Sequence, residues 1–224
     1  MRNYLSHIFA VFRKDVLLEL KTKETFISVI VFSLLVILIF NLGLDNIPGT
    51  NPTISAGILW IAIIFGSVIG MNHTYSIEIE SGAINRILLS PISRDAFFFG
   101  KALSNIVLMI FLEIILLPAI IILYDINVPL FQVAILSIFV ILGISLVGTL
   151  FSAIAIKTKT REVMLPVLLL PILSPILIAA VEVTASLIAG QSIYDTQKWI
   201  SLIIVFDAIF IVVSPFLFTF IVSD

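Results

Sequence analysis

FISVIVFSLLVILIFNLGL, residues 26–44, runs for 19 positions without one charged side chain. At about 1.5 Å of rise per residue, such a helix covers the ~30 Å hydrocarbon core of a bilayer. Five more long apolar runs follow, at about 56–72, 102–124, 129–156, 163–188 and 200–222, three of them interrupted by a single acid. The 224-residue chain is 61% hydrophobic and 12% charged, with a mean hydropathy of +1.27. That is too little charge to coat a soluble domain. The expected fold is an all-α polytopic membrane protein with six transmembrane helices, forming a single domain over residues 1–224.

Ahead of the first span, YLSHIFAVFRKDVLLELKT (4–22) alternates apolar and charged positions at helical spacing. Leu5, Ile8, Phe9, Phe12 and Val16 share one face, as expected of an amphipathic helix lying in the membrane interface. A short soluble cap helix is the plainer alternative. No small-residue cleavage site follows this charged segment, so a secretory signal peptide is not expected. Without cysteine, a disulfide framework, an iron–sulfur cluster and a CxxCH haem attachment are excluded.

The basic residues set the orientation. With the N-terminus inside, Arg2, Arg13, Lys14, Lys21, Lys23, Arg86, Arg94, Lys101, Lys157, Lys159 and Arg161 are all cytoplasmic. Of the twelve Lys and Arg, only Lys198 falls outside, a strong positive-inside bias. Both termini are therefore expected in the cytoplasm. The two halves show no repeat of the sort common in secondary transporters.

The most polar stretch, EIESGAINRILLSPISRD (78–95), lies in the cytoplasmic loop 76–95. Ile84, Ile87 and Leu88 fall at i, i+3, i+4, compatible with a short amphipathic helix from about Gly82 to Leu89. Ser90-Pro91 would end it, since proline disfavours helical geometry in its predecessor and lacks a donor. Such a helix suits docking to a soluble partner; an ordinary solvated loop is the alternative.

GILWIAIIFGSVIGMNHTYSIEIESGAINRILLSPISRDAFFFGKALSN (57–105) resembles the CcmB family, the membrane subunit of the cytochrome c maturation ABC transporter. The family's acidic-Gly element maps onto Glu80 and Gly82, with Glu78 beside it. Its Leu-Leu-x-Pro element falls on Leu88, Leu89 and Pro91, its basic-acidic pair begins at Arg94, and its Gly-Lys falls on Gly100 and Lys101. Asn85-Arg86 departs from the pattern, where relatives more often carry an acidic residue. The likeness continues through FLEIILLP, KTKTREVMLPVLLLPILSPILIAAVEVT and the last, Asp-containing span.

The resemblance implies an ABC-2-type exporter permease in the bacterial inner membrane, working in two copies. Its coupling helix, carried by Glu78, Glu80, Gly82, Ile84, Arg86, Ile87, Leu88, Pro91 and Arg94, would dock into a separate CcmA-like ATPase. The chain has no GxxxxGK[ST] loop, so ATP is expected to act through that partner. A CcmC-like haem-handling membrane protein and small membrane partners are implied as well. The tryptophan-rich motif of the haem-handling subunit is absent, and the only tryptophans are Trp60 and Trp199. Haem is thus expected to be handled by partners, with no cofactor or metal bound directly.

Three acids, Glu113, Glu182 and Asp207, lie within spans, where a charge near the bilayer centre costs ~2.5–3.5 kcal/mol on insertion scales. Each must face a partner or water, or be protonated. Glu182 and Asp207 could share a layer and a proton; polar glue between helices is the plainer reading. Pro166, Pro171 and Pro175 interrupt the fifth span and predict a kinked or partly re-entrant element. His7 and His73 are interfacial histidines for which haem ligation is the less expected role.

A non-catalytic transporter subunit for haem export, or for ATP-dependent release of a haem chaperone, is the leading expectation. An ABC-2 exporter of a lipid or other small molecule, and a proton-coupled secondary transporter using the three acids, remain alternatives. No HExxH, paired Glu-His cluster or nucleophile motif points to an enzyme.

Overall fold

The computed structural model describes residues 2–44, 51–80, 92–156 and 161–223. Among the described residues the chain forms seven α-helices and one 3-10 turn, with no strand. They are α1 (Arg2–Thr22), α2 (Glu24–Gly43), α3 (Pro52–Glu80), α4 (Arg94–Tyr124), α5 (Leu130–Ile156), α6 (Arg161–Ile188) and α7 (Gln197–Ser223), with the turn at Ile193–Thr196. Six of them, α2 to α7, are long and apolar enough to cross a membrane. This is the expected fold class.

Helix ends follow local chemistry. A single residue, Lys23, in the left-handed region at φ 56°, separates α1 from α2 and redirects the interfacial helix into the first span. Asn51 caps α3, its Oδ1 accepting from the Thr53 amide at 3.0 Å, and Pro52 lacks an amide donor, which a first helical position tolerates. Gly190 at φ 72° closes α6: its amide bonds to Leu187 O at 3.1 Å, and the Gln191 amide to Ser186 O at 2.9 Å.

α3 and α4 extend well beyond the apolar windows that predict them, α3 to Glu80 and α4 back to Arg94. Hydropathy marks the membrane edge, whereas a helix continues until a backbone breaker stops it. α6 runs as one 28-residue helix through Pro166, Pro171 and Pro175, long and apolar enough to cross a membrane. Pro175 lacks the amide that would bond to the residue 171 carbonyl. Ser174 Oγ donates to that carbonyl instead, at 2.8 Å.

α3, α4, α5 and α6 pack together as the centre, with α2 against α3 and α4, and α7 against α5 and α6. Trp60, Ile63, Met109, Leu112, Ile141, Leu173 and Ile176 are among its fully buried side chains. Buried hydrogen bonds tie the helices where hydrophobicity cannot discriminate among apolar neighbours. Ser33 donates to Ala62 O at 3.1 Å, Ser145 to Ala102 O at 2.7 Å, Asn105 to Thr149 Oγ1 at 2.8 Å, and Trp60 Nε1 to Thr184 Oγ1 at 3.0 Å.

Candidate functional site

α1 does not simply float at the interface: it packs along the start of α4. Gly100 makes this possible, since a Cβ there would lie 2.7 Å from Val11 Cβ and 2.9 Å from the Ile8 carbonyl oxygen. Val11 and Asp15 turn toward α4 and are buried, while Leu5 and Phe9 on the expected apolar face stay exposed. α1 thus has two usable faces, one apolar and outward, the other holding a buried charge.

That charge is partnered at once. Lys101 Nζ lies 3.1 Å from Asp15 Oδ2, and Lys14 Nζ lies 3.0 Å from Asp15 Oδ1. The Lys101 and Asp15 side chains are 1% and 3% exposed. Lys101 also lies over the Phe97 ring, 5.8 Å from its centroid. One helical turn along α1, Glu19 joins the group. Burial pushes its carboxyl above the ordinary value; Asp15 adds to this, while Thr25, His73 and Lys101 pull the other way. Thr25, at the start of α2, and His73, in the C-terminal part of α3, share a hydrogen bond of 2.7 Å. A cavity of about 30 Å³ opens between these elements, lined in part by Asp15, Glu19, Thr74, Ser104 and Asn105. Four helices, α1 to α4, therefore converge on one polar knot at one end of the bundle.

The polar loop leaves from this knot. Glu78 and Glu80 stand in the last turn of α3, and Arg94 opens α4, where its Nη1 donates to the Thr219 carbonyl of α7 at a long 3.4 Å. Gly82, Ile84, Arg86, Ile87, Leu88 and Pro91, the rest of the expected docking helix, lie outside the described residues. Residues 81–93 connect α3 to α4, and His73 and Lys101, each seven residues from the adjoining helix end, belong to the same cluster.

The intramembrane acids go to three different places. Glu113 on α4 is buried and accepts a short hydrogen bond from Ser137 of α5. Asp207 on α7 is buried against α5, in the space Gly143 leaves: a Cβ on that glycine would collide with Asp207 Oδ1 and Ile176 Cδ1. Glu182 faces a groove between α3 and α6. Neither Asp207 oxygen has a hydrogen-bond partner among the described residues, so no bond joins it to Glu182. A proton shared by the pair has no geometric support.

Asp15, Glu19 and Thr25 escape a reading based on periodicity. Asp15 looks like any solvated charge of an amphipathic helix, and its partner Lys101 stands 86 positions further on. The available signal was Lys101 itself, a cation placed immediately inside an apolar run and paired in the motif with a glycine.

Over residues 6–223 the chain matches the protein family described as CcmB protein. It is similar to the heme exporter protein B of Rhodobacter capsulatus, with 23% identity over 176 residues, 77% of this chain and 80% of the relative. The protein of the same name from Pseudomonas aeruginosa is 24% identical over 152 residues, 66% of this chain and 67% of the relative. That of Escherichia coli strain K12 is 24% identical over 95 residues, 42% of this chain and 43% of the relative.

Proposed function

This chain belongs to the CcmB family, and from that premise we infer that it is the membrane subunit of an ABC transporter serving cytochrome c maturation. A permease of this kind works with an ATPase and with other components of the same system. ATP is bound and hydrolysed in a separate CcmA-like subunit, and this chain performs no chemistry of its own. Haem is held by a CcmC-like partner and small membrane proteins rather than by His7 or His73. Two copies of the chain assemble in one complex, in the bacterial inner membrane, with both termini in the cytoplasm.

The observation that supports this reading is that α3, ending at Glu80, and α4, beginning at Arg94, join α1 and α2 in the polar cluster of Asp15, Lys101, Thr25 and His73. An ATPase gripping residues 81–91 would pull on two central spans at once. Through Lys101 and Asp15 the same displacement reaches α1, and through Thr25 and His73 it reaches α2. A low-dielectric ion pair resists separation, so these ends move as a unit rather than sliding past each other. The loop supplies the handle and the polar knot makes the handle stiff.

The test is reconstitution and deletion together. The purified chain alone should hydrolyse no ATP, and vanadate-sensitive turnover should appear only with its soluble ATPase. Deletion should abolish c-type cytochromes. Intact c-type cytochromes in the deletion strain would instead favour export of a lipid or another small molecule.

A further inference from the structure

The seam between α3 and α6 on the outer half of the bundle is not closed. Two adjoining cavities of about 270 and 300 Å³ run along it and meet at Glu182. The deeper one is walled by Gly57, Ile61, Leu177, Ile178 and Val181. The shallower one is polar, with Asn51, Thr53, Ser186 and Gln191 at its rim. Behind the groove the hydrogen bond from Trp60 Nε1 to Thr184 Oγ1 fastens α3 to α6, so the cleft is a feature of a bonded seam.

The groove is thus apolar at depth and polar at its mouth, with one carboxylate at the boundary. Glu182 is the only charged residue lining it, and among the described residues no cation pairs with it. Lys198, the one basic residue expected on the outer side, lies over the Trp199 ring at 5.0 Å instead. A carboxylate beside hydrocarbon is costly unless it is paired, hydrated or protonated, and a cationic occupant would pair it. Ile61 and Ile178, 40% and 52% exposed, line the face that an acyl chain would cover.

We propose that this groove holds a phospholipid of the outer leaflet whose headgroup ends in a primary ammonium, phosphatidylethanolamine by chemistry. The ammonium donates to the Glu182 carboxylate, the rim amides and hydroxyls of Asn51, Thr53, Ser186 and Gln191 take the phosphate and glycerol oxygens, and one acyl chain lies along Ile61, Leu177 and Ile178. A primary ammonium offers three donors, as a lysine does, whereas a trimethylammonium offers none and a glycerol headgroup brings no cation. Anionic amphiphiles, including those with propionate groups, are repelled by the same carboxylate. The site is independent of the transport reading, because it lies at the opposite end of the bundle from the loop 76–95.

The test uses the full-length chain in membranes with its partner subunits. Phosphatidylethanolamine, phosphatidylcholine and phosphatidylglycerol, each with a photoreactive diazirine in the same acyl chain, are irradiated and the labelled peptides mapped. Phosphatidylethanolamine should label residues 52–61 and 177–191 about tenfold more than phosphatidylglycerol, the factor a charge-assisted hydrogen bond is worth. Glu182→Gln should remove that preference. Gly57→Leu should abolish labelling with membrane levels unchanged, because a Cβ at Gly57 meets nothing within 4 Å. Equal labelling by the two lipids, or a preference that survives Glu182→Gln, would overturn the proposal. So would a protein adduct from a photoreactive residue replacing Ile178, since the groove would then be an interface with another chain.

Discussion

Lys101 of α4 holds Asp15 of α1 at 3.1 Å, in surroundings that leave the two side chains 1% and 3% exposed. Removing one member of a buried pair typically costs about 3–5 kcal/mol, whereas replacing both with apolar residues can be nearly neutral. Asp15→Leu and Lys101→Met should therefore each lower thermal stability in detergent by several kcal/mol. Asp15→Leu combined with Lys101→Met should cost less than the sum of the single changes. Strict additivity in that cycle would mean the pair is not coupled.

Gly100 makes the approach of α1 possible. Gly100→Ala places a Cβ where Val11 Cβ and the Ile8 carbonyl already stand, at 2.7 and 2.9 Å. Overpacking of this kind costs about 1–3 kcal/mol. Val11→Ala should rescue it only in small part, because it removes the Val11 Cγ1 contact at 2.9 Å while the Cβ and the backbone carbonyl remain. Unfolding of both variants against the parent checks this.

Glu19 gives the cluster a pH dependence with a definite sign. Burial holds its carboxyl above the ordinary value, so in the window between the two values the folded chain keeps a proton that the unfolded chain releases. Glu19 is therefore neutral to stability below the window and increasingly unfavourable as pH rises through it. Glu19→Gln should flatten that slope and gain on the parent toward neutral pH. An unchanged slope in thermal melts taken across the weakly acidic range would show that Glu19 does not contribute.

The six spans were legible in the sequence because nothing in water competes with a bilayer for runs such as residues 26–44. The three acids were found for the same reason, as exceptions to hydropathy. Their partners were not. Glu113 meets Ser137 and Trp60 meets Thr184 across separations of 24 and 124 residues, and no local period encodes such pairings. The prolines of the fifth span predicted a kinked or partly re-entrant element; α6 is one continuous helix through all three, with Ser174 donating to the carbonyl that Pro175 leaves without an amide. The docking residues were legible only as a pattern, and six of the nine lie outside the described residues.

Sidedness is open to a direct check, because the chain has no cysteine of its own. A single cysteine replacing Gln191, exposed after the end of α6, should react with an impermeant thiol reagent in cells whose outer membrane has been permeabilised. One replacing Ser93 should react only after lysis. The reverse pattern would invert the whole orientation.

The central claim is that residues 81–91 pass the work of an ATPase into α3 and α4. Burying a Leu or Ile side chain is worth ~1.5–3 kcal/mol, so Ile87→Ala with Leu88→Ala should weaken docking by roughly two orders of magnitude or more. The decisive measurement is the amount of ATPase that co-purifies with this double variant. Membrane levels should stay normal, and the matched control Ser93→Ala should be silent, since the Ser93 side chain makes no capping hydrogen bond to α4. The account predicts that the ATPase is lost and c-type cytochromes with it; ATPase retained at parental stoichiometry would contradict it.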